Sequence, residues 1–309
     1  MKRFFAAILA AALITASFSA CGGTGSPNSA SPASSGDKSS EAGSSAAVLS
    51  GSINISGSSA LQPLVQAAAD SFKTANPNVA VTVNAGGSGT GLQNVSDKTV
   101  DIGDSDVFAS EKLSKDKADA LVDHIVCVVG VAAVVNPGVD VSDVTKQQLA
   151  EIFTGKVTNW KEIGGKDQKI VIINRPKSSG TRALFKSYAL DGKEETTGQA
   201  LTEDNSGTLK QNVAQTPGAV SYLALSYLTD DKVKALSVGG VKPTYDNIYS
   251  GKYEIWGYEH MYTNGEPAEP AKSFLNYMGS PDAETIITEK GYGLSSRMTV
   301  KRDAPAAKP

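Results

Sequence analysis

Two cysteines and two histidines among 309 residues leave little material for cross-links, for a zinc site or for a histidine-activated nucleophile. No HxxxH pair and no Cys/His cluster occurs. His124 precedes an apolar run and His260 stands among aromatics, so both read as structural. Charge of one sign is also lacking: 29 basic residues face 32 acidic ones for a net charge of −3. No basic run is long enough to follow a phosphate backbone, which excludes nucleic acid as a partner. No fixed-period repeat is present, which excludes solenoids and propellers.

What is there fits a globular protein: 40% hydrophobic residues in a chain long enough for two domains with their own cores. Residues 1–20 read as a signal peptide, with Lys2 and Arg3 ahead of the apolar run FFAAILAAALITASF. The following FSAC resembles a bacterial lipobox, with Phe18 where Leu is usual. In such a motif Cys21 becomes the lipid-modified first residue, carrying palmitate-type acylation. It would anchor the protein to the outer face of the cell membrane without spanning it. An ordinary secretory peptide with an incidental cysteine is the other reading. Residues 21–50 are nearly all Gly, Ser, Ala, Pro and Asn, a flexible tether that cannot bury enough apolar surface to order itself. Cys127, inside HIVCVVGVAAVV, reads as a small core residue, so no disulfide pair is expected.

From Gly51 onward strand-like and helical patterns alternate, which predicts an α/β protein. INISG precedes the amphipathic SALQPLVQAAADSFKTAN, which stops at Pro77. VAVTVNA, a short helix around Leu92, VDIGDSDV, and a charged helix over 112–121 follow. Then come a long apolar strand at 125–135, a helix in VTKQQLAEIFTG and a strand KIVIINR. A helix over 181–188, a strand near GAVSYLAL, the aromatic YEIWGYEHMYT and the helical PAKSFLNYMGSPDAETIITEKGY complete the chain.

Three polar turns share one chemistry. In SGSSALQPL, Ser58 and Ser59 precede a helix; they serve either as N-caps or, with the helix-end amides, as donors to an anion. NAGGSGTGLQNV has glycines that bring backbone amides close to a ligand. It lacks the Walker lysine and the dinucleotide GxGxxG spacing, and Thr90 breaks a GxSxG elbow. In INRPKSSGTRALF, Arg175 ends a strand while Ser179, Gly180 and Thr181 open a helix. A planar cation and several donors can thus converge on one small oxyanion. DIGDSDVF adds Asp101, Asp104 and Asp106. An ionised carboxylate beside an anion site makes sense when the anion carries a proton to donate, as phosphate does and sulfate does not.

These segments, GSSALQPL, AGGSGTGLQNV, DIGDSDVF, RPKSSGTR and AQTPGAVSYLALSYL, in this order, resemble the phosphate-binding lipoproteins of bacterial phosphate-specific ABC transporters. The resemblance runs from Gly51 to the last helix. It implies a two-lobed, type II periplasmic-binding-protein-like α/β fold, with mixed sheets flanked by helices and a two-strand hinge. Lobe I would comprise 51–128 plus 253–303, and lobe II 129–252. Carried over by position, the phosphate ligands are Ser59, Ala60, Ser88, Asp106, Arg175, Ser179, Gly180 and Thr181. The family often has Thr at Ser59 and Asn at Asp104. The resemblance also implies phosphate capture by a monomer outside the cell, delivery to transmembrane permease subunits, and no cofactor, metal or catalysis. A binding protein for another oxyanion and a secreted phosphatase-like hydrolase are the competing readings.

Overall fold

The first strand of the fold, β1 (Gly51–Gly57), buries Ile53 and Ile55 completely. This is a computed structural model, and it describes residues 48–197 and 202–305. The signal peptide, Cys21 and all but the end of the tether lie outside the described residues. β1 pairs in parallel with β2 (Val79–Ala85) on one side and β3 (Ile102–Ser105) on the other. Parallel neighbours need crossovers, which α1 (Gln62–Ala75) and α2 (Ser88–Ser96) supply. Leu64, Val65, Ala68, Ala69 and Phe72 form the buried stripe of α1 at helical spacing. The helix starts later than its sequence pattern suggests. Ser58 caps the preceding turn, and Pro63 fits only where no amide is needed, in the first helical turn.

The organising strand is β4 (Leu121–Val135), 15 residues long. Its Leu121–Gly130 portion pairs antiparallel with β10 (Trp256–Asn264), and from Val131 to Val135 it pairs with β7 (Ala219–Ala224). With β6 (Val171–Ile172) beside β7, the mixed sheet runs β2-β1-β3-β10-β4-β7-β6. β8 (Lys234–Ala235) adds to β4, while β5 (Asp143–Val144) and β9 (Ser237–Val238) make a separate two-stranded pair. The exchange of partners along β4 separates two main packing regions. One lies around β1, α1, α8 (Ala271–Met278) and α9 (Pro281–Glu289). The other gathers Phe153 of α4 (Lys146–Phe153), Trp160, Phe185 and Tyr222, with the Phe185 and Tyr222 rings stacked 4.3 Å apart. Cys127 is buried and unbridged, as the apolar run around it predicts.

Two expected elements are shorter than their patterns. The charged helix over 112–121 is only α3 (Lys115–Asp119), because Leu113 turns into the core and Ser114 restarts the chain. KIVIINR is strand only at Val171–Ile172, since β6 has a neighbour on one side and Asn174 and Arg175 leave the ladder for a polar cluster. α6 (Ser206–Gln215) and α7 (Tyr245–Tyr249) lacked a clear apolar stripe in sequence. No helix among the described residues is long and apolar enough to cross a membrane.

Gly57 shows how tightly the strand ends are drawn together. At φ +147° an added Cβ would stand 2.1 Å from the carbonyl oxygen of Asp104, which accepts from Ser58 N at 3.0 Å. Gly57→Ala should therefore cost about 2–3 kcal/mol of stability, read as a lower urea midpoint with an unchanged m-value.

Candidate functional site

The carboxyl ends of β1, β2, β3 and β6 point to one place, where the chain leaves each strand for a polar turn. Ser58 follows β1, Gly87 and Ser88 follow β2, Asp106 follows β3, and Arg175 lies three residues past β6. Crevices at such strand ends are the usual ligand sites of open α/β sheets. The sequence alone named the turns; the sheet order brings them within hydrogen-bond distance.

Asp106, 1% exposed, is the acceptor at the centre. Thr181 Oγ1 donates to its Oδ2 at 2.7 Å, and Ser58 Oγ donates to its Oδ1. Its backbone amide donates to Ser88 Oγ at 3.0 Å, which leaves the Ser88 hydroxyl hydrogen directed elsewhere. The amides of Ala60 and Leu61 donate to Ser58 Oγ at 3.0 and 3.1 Å, so Ser58 is both cap and donor.

Arg175, also 1% exposed, is the cation. Nε donates to Ser179 Oγ at 2.8 Å, Nη1 to Ser206 Oγ at 3.1 Å, and Nη2 to Ser59 Oγ at 3.0 Å and Asp204 O at 2.6 Å. All of these acceptors are neutral. The neighbouring Arg182, by contrast, has Glu194 at 3.7 Å and Glu195 at 3.9 Å. Arg175 forms no ion pair with a described carboxylate. A buried guanidinium whose hydrogen-bond acceptors are all neutral is costly, and an anion brought beside it would offset that cost.

Ser179 caps α5 (Gly180–Tyr188) by accepting from Arg182 N at 3.2 Å. The earlier first-turn amides, Gly180 and Thr181, have no intrahelical acceptor, and α5 directs its positive end at Asp106 and Ser88. Gly180 is required by contact: a Cβ there would stand 2.2 Å from Ser88 Oγ and 2.9 Å from Asp106 Cβ. The glycine turn after β2 packs against the same segment, with Gly89 N donating to Ser178 O at 2.8 Å. Lys112 Nζ donates to Lys177 O at 2.8 Å.

All eight residues expected to contact the ligand meet here. Ser59 joins Arg175, Ser88 and Thr181 join Asp106, Ser179 and Gly180 open α5, and Ala60 sits buried on the Ser58 cap. Sequence reasoning missed Ser206 and Tyr227, and it left Ser58 out of the ligand set. Ser206 Oγ lies 2.9 Å from Ser59 Oγ, and Tyr227 OH donates to Ser59 O at 2.7 Å. Burial pushes the Tyr227 hydroxyl up to about 12, keeping it a donor. The signal for Ser206 was present in DNSGTLK, a hydroxyl–glycine helix start of the same chemistry as SSGTR. The two histidines stand elsewhere: His260 Nδ1 is 2.8 Å from Asp123, and His124 Nε2 is 3.2 Å from Thr263 Oγ1. Among the described residues no cluster of His, Cys, Asp and Glu could hold a metal ion.

Asp104, which stands where the family often has Asn, is buried with Oδ1 unpaired. Burial, and then the neighbouring Asp106 charge, push its carboxyl well above the usual range. A neutral acid offers one donor and one acceptor, like an asparagine amide. Native Asp104 thus binds a proton that the unfolded chain releases, so the stability it contributes below the ordinary aspartate range is lost as pH rises. Asp104→Asn should therefore be more stable than wild type at pH 8, with the gap closing near pH 4; urea midpoints at the two pH values measure it.

A family model described as a PBP superfamily domain matches residues 32–282. The phosphate-binding protein PstS of Bacillus subtilis is 58% identical over 256 residues, covering 82% of this chain and 84% of the relative. The chain belongs to the PBP superfamily, and within it to the PstS family. Solved structures agree with that membership. A Clostridium perfringens protein assigned as a phosphate ABC transporter substrate-binding protein, crystallised with bound phosphate, superposes with TM-score 0.73 at 31% identity. That match covers 81% of this chain and all of the other. An ABC-type phosphate transport receptor from Vibrio cholerae gives TM-score 0.63 at 30% identity, covering 78% and 99%. The mixed α/β architecture of this PstS-family chain, a large sheet flanked by helices, is the one its sequence pattern predicts.

Proposed function

We propose that this chain captures inorganic phosphate outside the cell and hands it to the transmembrane permease subunits of an ABC transporter, without chemistry on the ligand. The observation that carries this reading is the buried Arg175 guanidinium, which has only neutral partners and shares one cluster of hydroxyls with the Asp106 carboxylate. Bound phosphate would take hydrogen bonds from Arg175, Ser59, Ser88, Ser179 and the amides of Gly180 and Thr181, and from the Thr181 hydroxyl and the Ala60 amide once these turn from Asp106 and Ser58. It would donate its own hydrogen to Asp106. Charge-assisted donors of this density offset the desolvation of a small anion, and the acceptor penalises an anion without a hydrogen. The names of the relatives, phosphate-binding protein and phosphate transport receptor, support the same ligand class.

The lobe division belongs to this proposal: 51–128 with 253–303 as one lobe, 129–252 as the other. Its support is the exchange of partners on β4 between Gly130 and Val131, beside the return crossing into β10. Contacts such as Arg175 to Ser59 and Thr181 to Asp106 join the two sides, so ligand binding would favour closure. We also assign the protein to the extracytoplasmic face of the cell membrane as a monomer, held through Cys21.

Isothermal titration of phosphate and sulfate into phosphate-free protein tests the reading. Tight phosphate binding with weak or undetectable sulfate binding is expected. Equal affinity for the two anions, or no phosphate binding, would reject it.

A further inference from the structure

Behind Asp106 lies a second carboxyl group that the site as described does not use. Glu259 on β10 is 0% exposed, and neither of its carboxyl oxygens has a hydrogen-bond partner. The strand register explains where it sits. β10 runs antiparallel to β3 with Met261 opposite Asp104 and His260 opposite Ser105. One further step along that register brings Glu259 opposite Asp106, and directly opposed residues in neighbouring strands share a face. β10 also runs hard against Asp106 at Gly257, where a Cβ would stand 3.0 Å from the Asp106 carbonyl oxygen. On its other side Glu259 faces Cys127 of β4, at a register shift between Glu259 and His260.

No cation compensates this carboxyl group. The titratable groups that act on it or that it acts on are Asp104 on β3, Asp106 just past that strand, Cys127 on β4, Tyr245 on α7, Tyr227, and Tyr292 beyond α9. Burial first, and then the Asp106 charge, push Glu259 well above the usual carboxylate range. Asp104 and Glu259, buried beside the Asp106 carboxylate with no cation acting on either, cannot both ionise as well.

We propose that Glu259 is a positioning residue for the phosphate site: as the neutral acid it offers its hydrogen to Asp106 from the core side, keeping Asp106 an ionised acceptor aimed at the ligand. This assignment rests on the phosphate reading above and names a further determinant of its selectivity. Without the donor, nothing on the core side would hold the Asp106 acceptor toward the ligand. Its penalty against sulfate, an anion with no hydrogen to give, would then weaken. With Glu259 ionised, a further negative charge would stand behind the anion and repel it.

The test is calorimetric titration of phosphate and sulfate from pH 5 to pH 10 on wild type, Glu259→Gln and Glu259→Met. Glutamine keeps a donor of the same shape that does not titrate. E259Q is expected to bind phosphate within about threefold of wild type at pH 6, since a neutral donor replaces a neutral donor. As pH rises, wild-type affinity is expected to fall relative to E259Q by up to about tenfold per pH unit, the limit for one linked proton. E259M, similar in volume but without a donor, is expected to lose about tenfold or more of the preference for phosphate over sulfate. It also serves as the non-titrating reference if E259Q does not fold. Overlapping pH profiles for wild type and the non-titrating variant, or an unaltered anion preference in E259M, overturn the role of Glu259 while leaving the phosphate reading intact. Failure of wild type itself to bind phosphate overturns both.

Discussion

Arg175→Ala should weaken phosphate binding by about a hundredfold to a thousandfold, the loss expected when one partner of a buried, hydrogen-bonded charge pair is removed. The guanidinium makes four hydrogen bonds, all to neutral oxygens, so an anion seated there would be its only counter-charge within this network. Titration calorimetry measures the loss directly. Thermal unfolding gives a second readout, because a ligand that binds only the native state raises its stability by mass action. The phosphate-induced rise in melting temperature should nearly vanish in the variant. Stability without phosphate should change far less, since the native fold no longer has to bury an uncompensated cation. Arg175→Lys should recover little, because an ammonium cannot reproduce the planar fork. Lys177 is the control: it is exposed, and Lys177→Ala should alter affinity by less than about threefold. Comparable losses in the two alanine variants would remove Arg175 from the centre of the site.

Asp106→Asn should lower the preference for phosphate over sulfate by about a hundredfold. The carboxylate accepts from Ser58 and Thr181 and points into the donor cluster, where an anion lacking a hydrogen would meet unpaired negative charge. The asparagine amide reverses the matter at one atom: its NH2 group donates, which welcomes sulfate and leaves the phosphate hydrogen with a poorer acceptor. Phosphate affinity should fall and sulfate affinity rise in the same variant. That opposite movement separates a selectivity role from simple damage, which would weaken both anions together. Competition between the two anions followed by calorimetry is the measurement, and parallel losses would show that Asp106 does not read the ligand hydrogen.

Much of this site could be read before any coordinates existed, because its parts are local. A serine ahead of a helix, a glycine-rich turn after a strand and an arginine before SSGTR each sit within a few residues of one chain segment. Ser206 was harder to find: its turn has the same hydroxyl–glycine character, but its link to Arg175 and Ser59 spans from 31 to 147 residues. Tyr227 lies 168 residues from the carbonyl it binds, and its own segment carries no polar pattern. Glu259 was hidden for a different reason, since an acidic residue within an aromatic strand looks like any outward-facing charge until the sheet covers it. The short strand at Val171–Ile172 and the reduced helix at Lys115–Asp119 show the same limit. Their propensities were sound, and neighbouring packing overrode them.

By itself the sequence determined the α/β class and pointed to the three polar turns, Arg175 and Asp106 as candidates, because hydrophobic periodicity, glycine placement and helix capping act over a few residues. Only the tertiary structure decided that β4 would serve two sets of partners, that Arg175 would be buried among neutral oxygens, and that Glu259 would stand behind Asp106. Strand order and register set those distances. They depend on pairings between segments far apart in the chain, where no local preference reaches.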